Sequence, residues 1–204
     1  LILLVKNETG YKNLIKIVSE GFIRGYYYKP RIDKDVLRAH SEGLIALSGC
    51  LAGEIQHRLL LRDYAGAKAR FLTKGLYEEA KKTALEYQEI FGEGNFYLEL
   101  QDQGLEEERA ILPDMRRLSE ELGIPLVATN DAHYVRREDA KAHDVLLAIQ
   151  TATTLDDEKR MRFPNDEFYL KSEDEMRALF PDCPEAADNT QKIADRCNVE
   201  FQFG

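Results

Sequence analysis

Four short apolar runs punctuate the chain: Leu1-Ile2-Leu3-Leu4-Val5, Gly43 to Ser48, Asn95 to Leu100, and Leu126 to Thr129. Each is bounded by Gly, Pro or polar residues, the pattern of a buried β-strand. Between them the apolar spacing is helical. Tyr11, Leu14, Ile15, Val18 and Phe22 predict a helix from about Tyr11 to Arg24, with Gly21 and Gly25 marking its end. Asp33 is placed to cap a short helix, Lys34 to His40. A further helix opens at Leu51-Ala52-Gly53-Glu54, and the chain from Arg62 to Gly92 is helical, with a short internal repeat. Ile111, Met115, Leu118 and Leu122 predict a helix closed by Gly123, with Pro113 setting its start or a kink. A helical pattern opens at Val135 and runs through Ala140 to Ala148. An irregular acidic stretch follows, Thr151 to Asp166, then two short helices, Ser172 to Phe180 and Pro184 to Arg196.

Tyr64 to Leu72 is echoed by Tyr77 to Leu85, thirteen residues on. Thirteen is not a whole number of helical turns, so one straight helix would rotate the matching faces apart. Thr73-Lys74-Gly75 is the expected break, giving a helix pair.

Strands alternating with helices predict an α/β fold with a parallel sheet and right-handed crossovers. On that expectation the polar exits Lys6-Asn7, Ser48 to Cys50, Gln101-Asp102 and Asn130 to His133 all lie at one end of the sheet, where α/β proteins place their chemistry. Asp131 and His133 are two apart, so on extended backbone they point to the same side. Carboxylate and imidazole together suit a divalent transition metal. The alternative is an Asp capping the helix that follows, with His133 in the same turn. Cys50 offers a thiolate at an equivalent strand end, or is a small buried apolar residue. His40 sits where a helix dipole favours it, and His57 lies inside a helix. Tyr26-Tyr27-Tyr28, beside Lys29 and Arg31, reads as a packed loop or as a contact for nucleic acid.

The chain has 204 residues, 44% apolar and 32% charged, with a net charge of -9, which excludes a surface built as a whole to grip a phosphate backbone. Three widely spaced cysteines with no CxxC pair argue for a reducing compartment rather than a disulfide framework. No apolar run approaches the roughly 20 residues of a membrane helix, so no membrane partner is expected. Opening on a core strand without an initiator Met, the sequence reads as a fragment with material missing upstream.

Four stretches carry a resemblance. They are Lys29 to Asp33, Gly43 to Glu54, Thr129 to Tyr134, and Met161 to Leu170, with Ala186 to Thr190 and Ala194 to Cys197 in support. In this order they resemble the PHP (polymerase and histidinol phosphatase) domain of bacterial DNA polymerase III alpha subunits. The resemblance implies a distorted (β/α)7 barrel, here incomplete because its first strands are lacking, with a metal cluster at the strand C-terminal ends. Cys50, Asp131 and His133 match the last three ligands of that cluster, and the earlier ones fall before Leu1. Zinc or manganese is implied at this site, and magnesium at a polymerase site outside the chain. Two departures stand out: the duplicated helix, and Gln103 where many relatives are expected to carry His.

Residues 1–160 then form the C-terminal part of the barrel domain, and 161–204 its end and the junction toward the polymerase thumb and palm. The resemblance implies that the parent is a cytoplasmic DNA-directed DNA polymerase of DNA replication. Its partners would be DNA, deoxynucleoside triphosphates, a proofreading exonuclease, a sliding clamp and a clamp loader. Its polymerase carboxylates would lie outside this chain, so no catalytic residue is assigned here. The segment itself would supply 3′-5′ exonuclease or phosphoesterase activity, or a scaffold, and alone would be inactive. A free-standing PHP phosphoesterase and a non-catalytic interaction module are the competing readings.

Overall fold

The computed structural model of the protein describes residues 1–64 and 72–201. Its element order is β1 (Ile2–Val5), α1 (Glu8–Ile23), α2 (Lys34–His40), β2 (Leu44–Leu47), α3 (Glu54–Tyr64), α4 (Leu72–Phe91), β3 (Phe96–Leu100), α5 (Glu106–Leu122), β4 (Leu126–Ala128), α6 (Ala140–Gln150), α7 (Glu173–Leu179) and α8 (Pro184–Arg196). The caps explain several of these boundaries. Asn7 accepts from the Gly10 N–H at 3.0 Å and starts α1, and Asp33 accepts from Val36 N–H to start α2. Gly123, at φ 66°, closes α5 in the left-handed conformation. Gly21 is buried inside α1 rather than at its end. Pro113 lies within α5, which begins at Glu106, so it does not set the start. Arg137–Asp139 forms a 3-10 turn, and the α-helix opens only at Ala140.

The four strands form one sheet in the order β1-β2-β3-β4. β2 and β3 are parallel, as are β3 and β4, but β1 runs antiparallel to β2, with Val5 opposite Leu44. The expectation of an all-parallel sheet is therefore corrected. Counting α1 as a crossover overlooks the return journey: α1 carries the chain away from the end of β1, and the 24–33 loop and α2 bring it back. The Lys6 N–H consequently donates to Gly43 O at 2.8 Å, and Lys6 Nζ reaches Asn95 Oδ1, at the entry to β3. The Lys6-Asn7 exit thus lies at the opposite end from the other three. The described strands form an open sheet, not a closed barrel.

The strands alternate as buried strands should. Leu44, Ala46, Phe96, Leu98, Leu100, Leu126 and Ala128 face the larger core with α1 to α5; Ile45, Leu47, Tyr97 and Val127 face a second cluster with Ile193 of α8. Asn189 of α8 donates to Leu126 O at 2.8 Å, so α8 seals the β4 end of that face. α3 and α4 pack on each other, and α4 continues unbroken through Thr73-Lys74-Gly75, so the helix pair does not divide there. Most of the first repeat copy, Tyr64 to Leu72, lies outside the described residues. Cys50, Cys183 and Cys197 are all free thiols. Burial pushes the thiols of Cys183 and Cys197 up.

α7 begins with a reciprocal cap: Glu175 accepts from the Ser172 N–H and hydroxyl, and Tyr169 donates to it at 2.6 Å. The Tyr169 hydroxyl first, then the Ser172 donors, hold the Glu175 carboxyl down to about 2. A carboxyl depressed in the folded state contributes stability above its unfolded value, near 4.5, and loses it as pH falls toward 2. Glu175→Gln should therefore flatten the acid side of the stability profile over that interval, as read by melting temperature at stepped pH.

Candidate metal centre at the sheet C-terminal end

The exits of β2, β3 and β4 share one end because those strands are parallel. Cys50 stands on the turn after β2, which two glycines shape. Gly49 has φ 88°, and a Cβ on Gly53 would lie 2.3 Å from Ser48 O. The turn closes with Gly53 N–H donating to Cys50 O at 2.7 Å. Cys50 is exposed, so the small-buried-residue alternative does not describe it.

Beneath the turn lies a buried polar network centred on Glu99 of β3, itself only 6% exposed. One carboxylate oxygen accepts from Gly49 N–H at 2.9 Å; the other accepts from the Thr129 hydroxyl and from Gln101 Nε2. Ser48 Oγ accepts from Glu99 N–H, and Gln56 Nε2 donates to Gly49 O at 2.7 Å. Glu99 therefore ties β2, β3 and β4 together at the end where Cys50 stands. A carboxylate inside the apolar run Phe96-Tyr97-Leu98-Glu99-Leu100 was the available signal, and sequence reasoning passed over it.

After β4, Asp131 adopts φ 45°. The backbone is not extended there, so the alternation expected to put Asp131 and His133 on the same side does not hold. Aspartate tolerates the left-handed region, and the turn uses that tolerance. His133 Nδ1 instead lies 2.9 Å from Asp131 O. Its ring stands edge-on to Phe163, Phe168 and His143, with centroids 4.7, 5.7 and 5.8 Å away. Asp131 does not cap the following helix either; the Asp139 carboxylate accepts from Arg136 N–H there. His143 is pushed down, first by burial and then by His133.

The segment 163–171 wraps this turn. His133 N–H donates to Phe168 O, Asn130 Nδ2 to Tyr169 O, and Asn165 Nδ2 to Gln103 O. The Met161 to Leu170 motif thereby has a structural role, since it holds the Asp131–His133 turn. Gln103 is buried; its N–H donates to Glu108 at 2.7 Å and its side chain to Asn130 O. Burial is the main cause that raises the Glu108 carboxyl, opposed by the Gln103 and Leu105 N–H groups and aided by the charges of Asp102 and Asp131.

Among the described residues, no three His, Cys, Asp or Glu side chains stand close enough to hold a metal. Cys50 and Asp131 leave strands on either side of β3, about 10 Å apart by ordinary strand spacing. The donor chemistry nevertheless fits a cation. The side-chain oxygens of Gln56, Gln101 and Gln103 are buried without a hydrogen-bond partner, an acceptor excess that a cation or its water would satisfy. Gln56, Gln101, Glu99 and Cys50 line a cavity of about 10 Å³, enough for about one water molecule. His40 ends α2 and His57 is exposed on α3.

Against this geometry, the family model for the PHP domain matches residues 1–103. The chain belongs to the PHP domain family. It is similar along its length to the DNA polymerase III subunit alpha of Treponema pallidum, with 47% identity over 98% of this chain. The subunits of Thermus aquaticus and Campylobacter jejuni are each 46% identical over all of it. The PHP chain spans 16%, 16% and 17% of these three relatives, about one sixth of their length. No described helix is long and apolar enough to cross a membrane.

Proposed function

We propose that this chain is the PHP portion of a bacterial replicative DNA polymerase, whose parent activity is template-directed DNA synthesis from deoxynucleoside triphosphates. The observation that carries this reading is the match along the whole chain, at 46–47% identity, to DNA polymerase III alpha subunits. The relatives that carry this match are named as polymerase subunits rather than as free-standing phosphoesterases. Residues 161–204 would lead from the PHP unit toward the polymerase domains. DNA, a proofreading exonuclease, a sliding clamp and a clamp loader would be partners of the whole protein in the cytoplasm, with magnesium at its polymerase site.

Within this segment Cys50, Asp131 and His133 would each supply a ligand to a cluster of divalent metal ions, zinc or manganese, and the strand spacing would have them serve different ions of that cluster. In a polypeptide of the relatives' length, the other ligands would come from outside these 204 residues. When bound, such an ion supplies a water of lowered pKa and polarises a phosphoryl oxygen, the chemistry of phosphodiester hydrolysis and of a 3′-5′ exonuclease. The chain's own residues prepare the site. Glu99 fixes the spacing of the three strand ends, and the 163–171 segment holds His133 against Phe163 and Phe168. The same ligation would tie distant strands together, so metal binding would also be folding energy.

In the full-length protein, Asp131→Ala or His133→Ala should lower the metal content by elemental analysis and the melting temperature, while His40→Ala and His57→Ala do neither. DNA synthesis should fall only as far as stability does. Full metal content and unchanged melting in both ligand variants would refute the assignment. The 204-residue chain by itself should neither polymerise nor hydrolyse DNA.

A further inference from the structure

The loop between α1 and α2 presents side chains that neither the core nor the metal site uses. Tyr26, Tyr27 and Tyr28 are 60, 63 and 81% exposed, beside Phe22 and Ile23 at the end of α1. The exposure is built in. Tyr28 takes φ 59°, a left-handed conformation that is costly for an aromatic residue, inside a tight turn where the Tyr27 N–H donates to Lys29 O. Gly25 anchors the base, because a Cβ there would lie 1.8 Å from Arg31 O. The Tyr27 and Tyr28 rings meet edge to face at 4.6 Å, and the Arg31 guanidinium lies 5.2 Å over the Tyr27 ring.

Charge separates this loop from the rest of the surface. Residues 21–32 contain Arg24, Lys29 and Arg31 and no acidic residue, in a chain whose net charge is -9. Arg24 pairs with Glu20, yet its side chain is still 79% exposed. Beside the loop, a groove of about 490 Å³ is lined by Arg24, Gly25, Arg31 and Ile32 together with Glu20 and Asp33, so the groove itself is of mixed charge and the cationic surface is the loop above it. The loop also lies toward the candidate site. Asp33 and Lys34, which follow it, line a second groove with Leu1 and Glu54, and Leu1 borders Gly49. Exposed aromatic rings with adjacent cations are what a flexible single strand requires: bases stack on the rings while phosphates meet the cations.

We propose that Tyr27, Tyr28, Lys29 and Arg31 form a binding platform for single-stranded nucleic acid at the edge of this end of the domain. The platform does not depend on the metal assignment, since it needs no divalent ion.

The test uses the full-length protein in EDTA with a single-stranded oligonucleotide carrying 5-iodouracil. After irradiation and digestion, cross-linked peptides are identified by mass spectrometry. Adducts are expected at Tyr27 or Tyr28, with a yield that falls as salt rises. Tyr28→Gly removes the ring and relieves the positive φ, so the variant should melt no lower than the parent while the yield at this peptide falls about tenfold. Lys29→Ala/Arg31→Ala should lower the yield and flatten its salt dependence. Adducts confined to other peptides, or yields unchanged in both variants, would overturn the proposal. So would a loop that never cross-links but whose variants lose a bound protein subunit, since that assigns the face to a protein.

Discussion

Gly10→Ala lowers the melting temperature by several degrees, although alanine is the better helix former. Gly10 sits in the first turn of α1, where propensity alone credits the substitution with about 1 kcal/mol of stabilisation. The tertiary contact has the opposite sign and is larger. A Cβ at Gly10 would lie 1.9 Å from Gly43 O and 2.5 Å from its carbonyl carbon, and both are backbone atoms that cannot rotate away. Gly43 has its own constraint, with φ 76° and Asn7 Oδ1 2.6 Å from the position of its missing Cβ. Relief requires α1 to lift away from the entry to β2, opening the packing of Ile17, Leu14 and Leu44. Overpacking of this kind costs about 3 kcal/mol, or roughly 6 to 12 °C for a domain of this size. The control is Lys12→Ala on the exposed side of the same helix, where only the Glu8 pair is lost and a change within about 0.5 kcal/mol is expected. If Gly10→Ala melts at or above the parent temperature, the close approach of α1 to β2 is wrong.

Replacing Glu99 has the second large effect, and it separates the support of the site from the site itself. The carboxylate gathers Gly49 N–H, the Thr129 hydroxyl and Gln101 Nε2 in a buried position. Glu99→Ala leaves these donors with no acceptor. Each orphaned group costs about 1–3 kcal/mol, and water entering from the Cys50 turn recovers part of it, so a net loss of about 3 kcal/mol is expected. Glu99→Gln keeps the shape but sets an NH2 against donors on one side; about half that loss should follow, since one oxygen still accepts. In both variants the Gly49–Cys50 turn and the Thr129–Asp131 exit lose their common anchor. Cys50 should then react faster with a thiol reagent than in the parent. An unchanged thiol rate and unchanged melting in Glu99→Ala would show that β2, β3 and β4 are not coupled through this side chain.

Much of this molecule was legible in the chain because the relevant physics is local. The run Leu44 to Leu47, bounded by Gly43 and by Ser48-Gly49, forms a buried strand, Asp33 caps the helix that Lys34 opens, and Gly123 closes α5 in the left-handed conformation, each for a reason carried by adjacent residues. α2 and α8 accordingly fall where spacing predicts them, and Cys50, Asp131 and His133 stand in turns at the strand ends where the parallel-strand argument put them. The direction of β1 was not legible. Antiparallel and parallel neighbours bury the same Leu and Val side chains, so only the path of α1 and α2 in space decides between them. Nor was the conformation at Asp131, because alternation presumes an extended backbone, and the 163–171 segment, some thirty residues away, holds the turn in another shape. Glu99 is the same case in energetic form. Within its strand it looks like a misplaced charge with Gln101 as a near neighbour; only when Gly49 and Thr129 are brought from the ends of β2 and β4 does its burial become favourable. Local sequence sets which elements form. Partners distant in sequence set their direction and decide which polar groups can be buried, because a hydrogen bond's free energy depends on a donor the neighbouring residues do not contain.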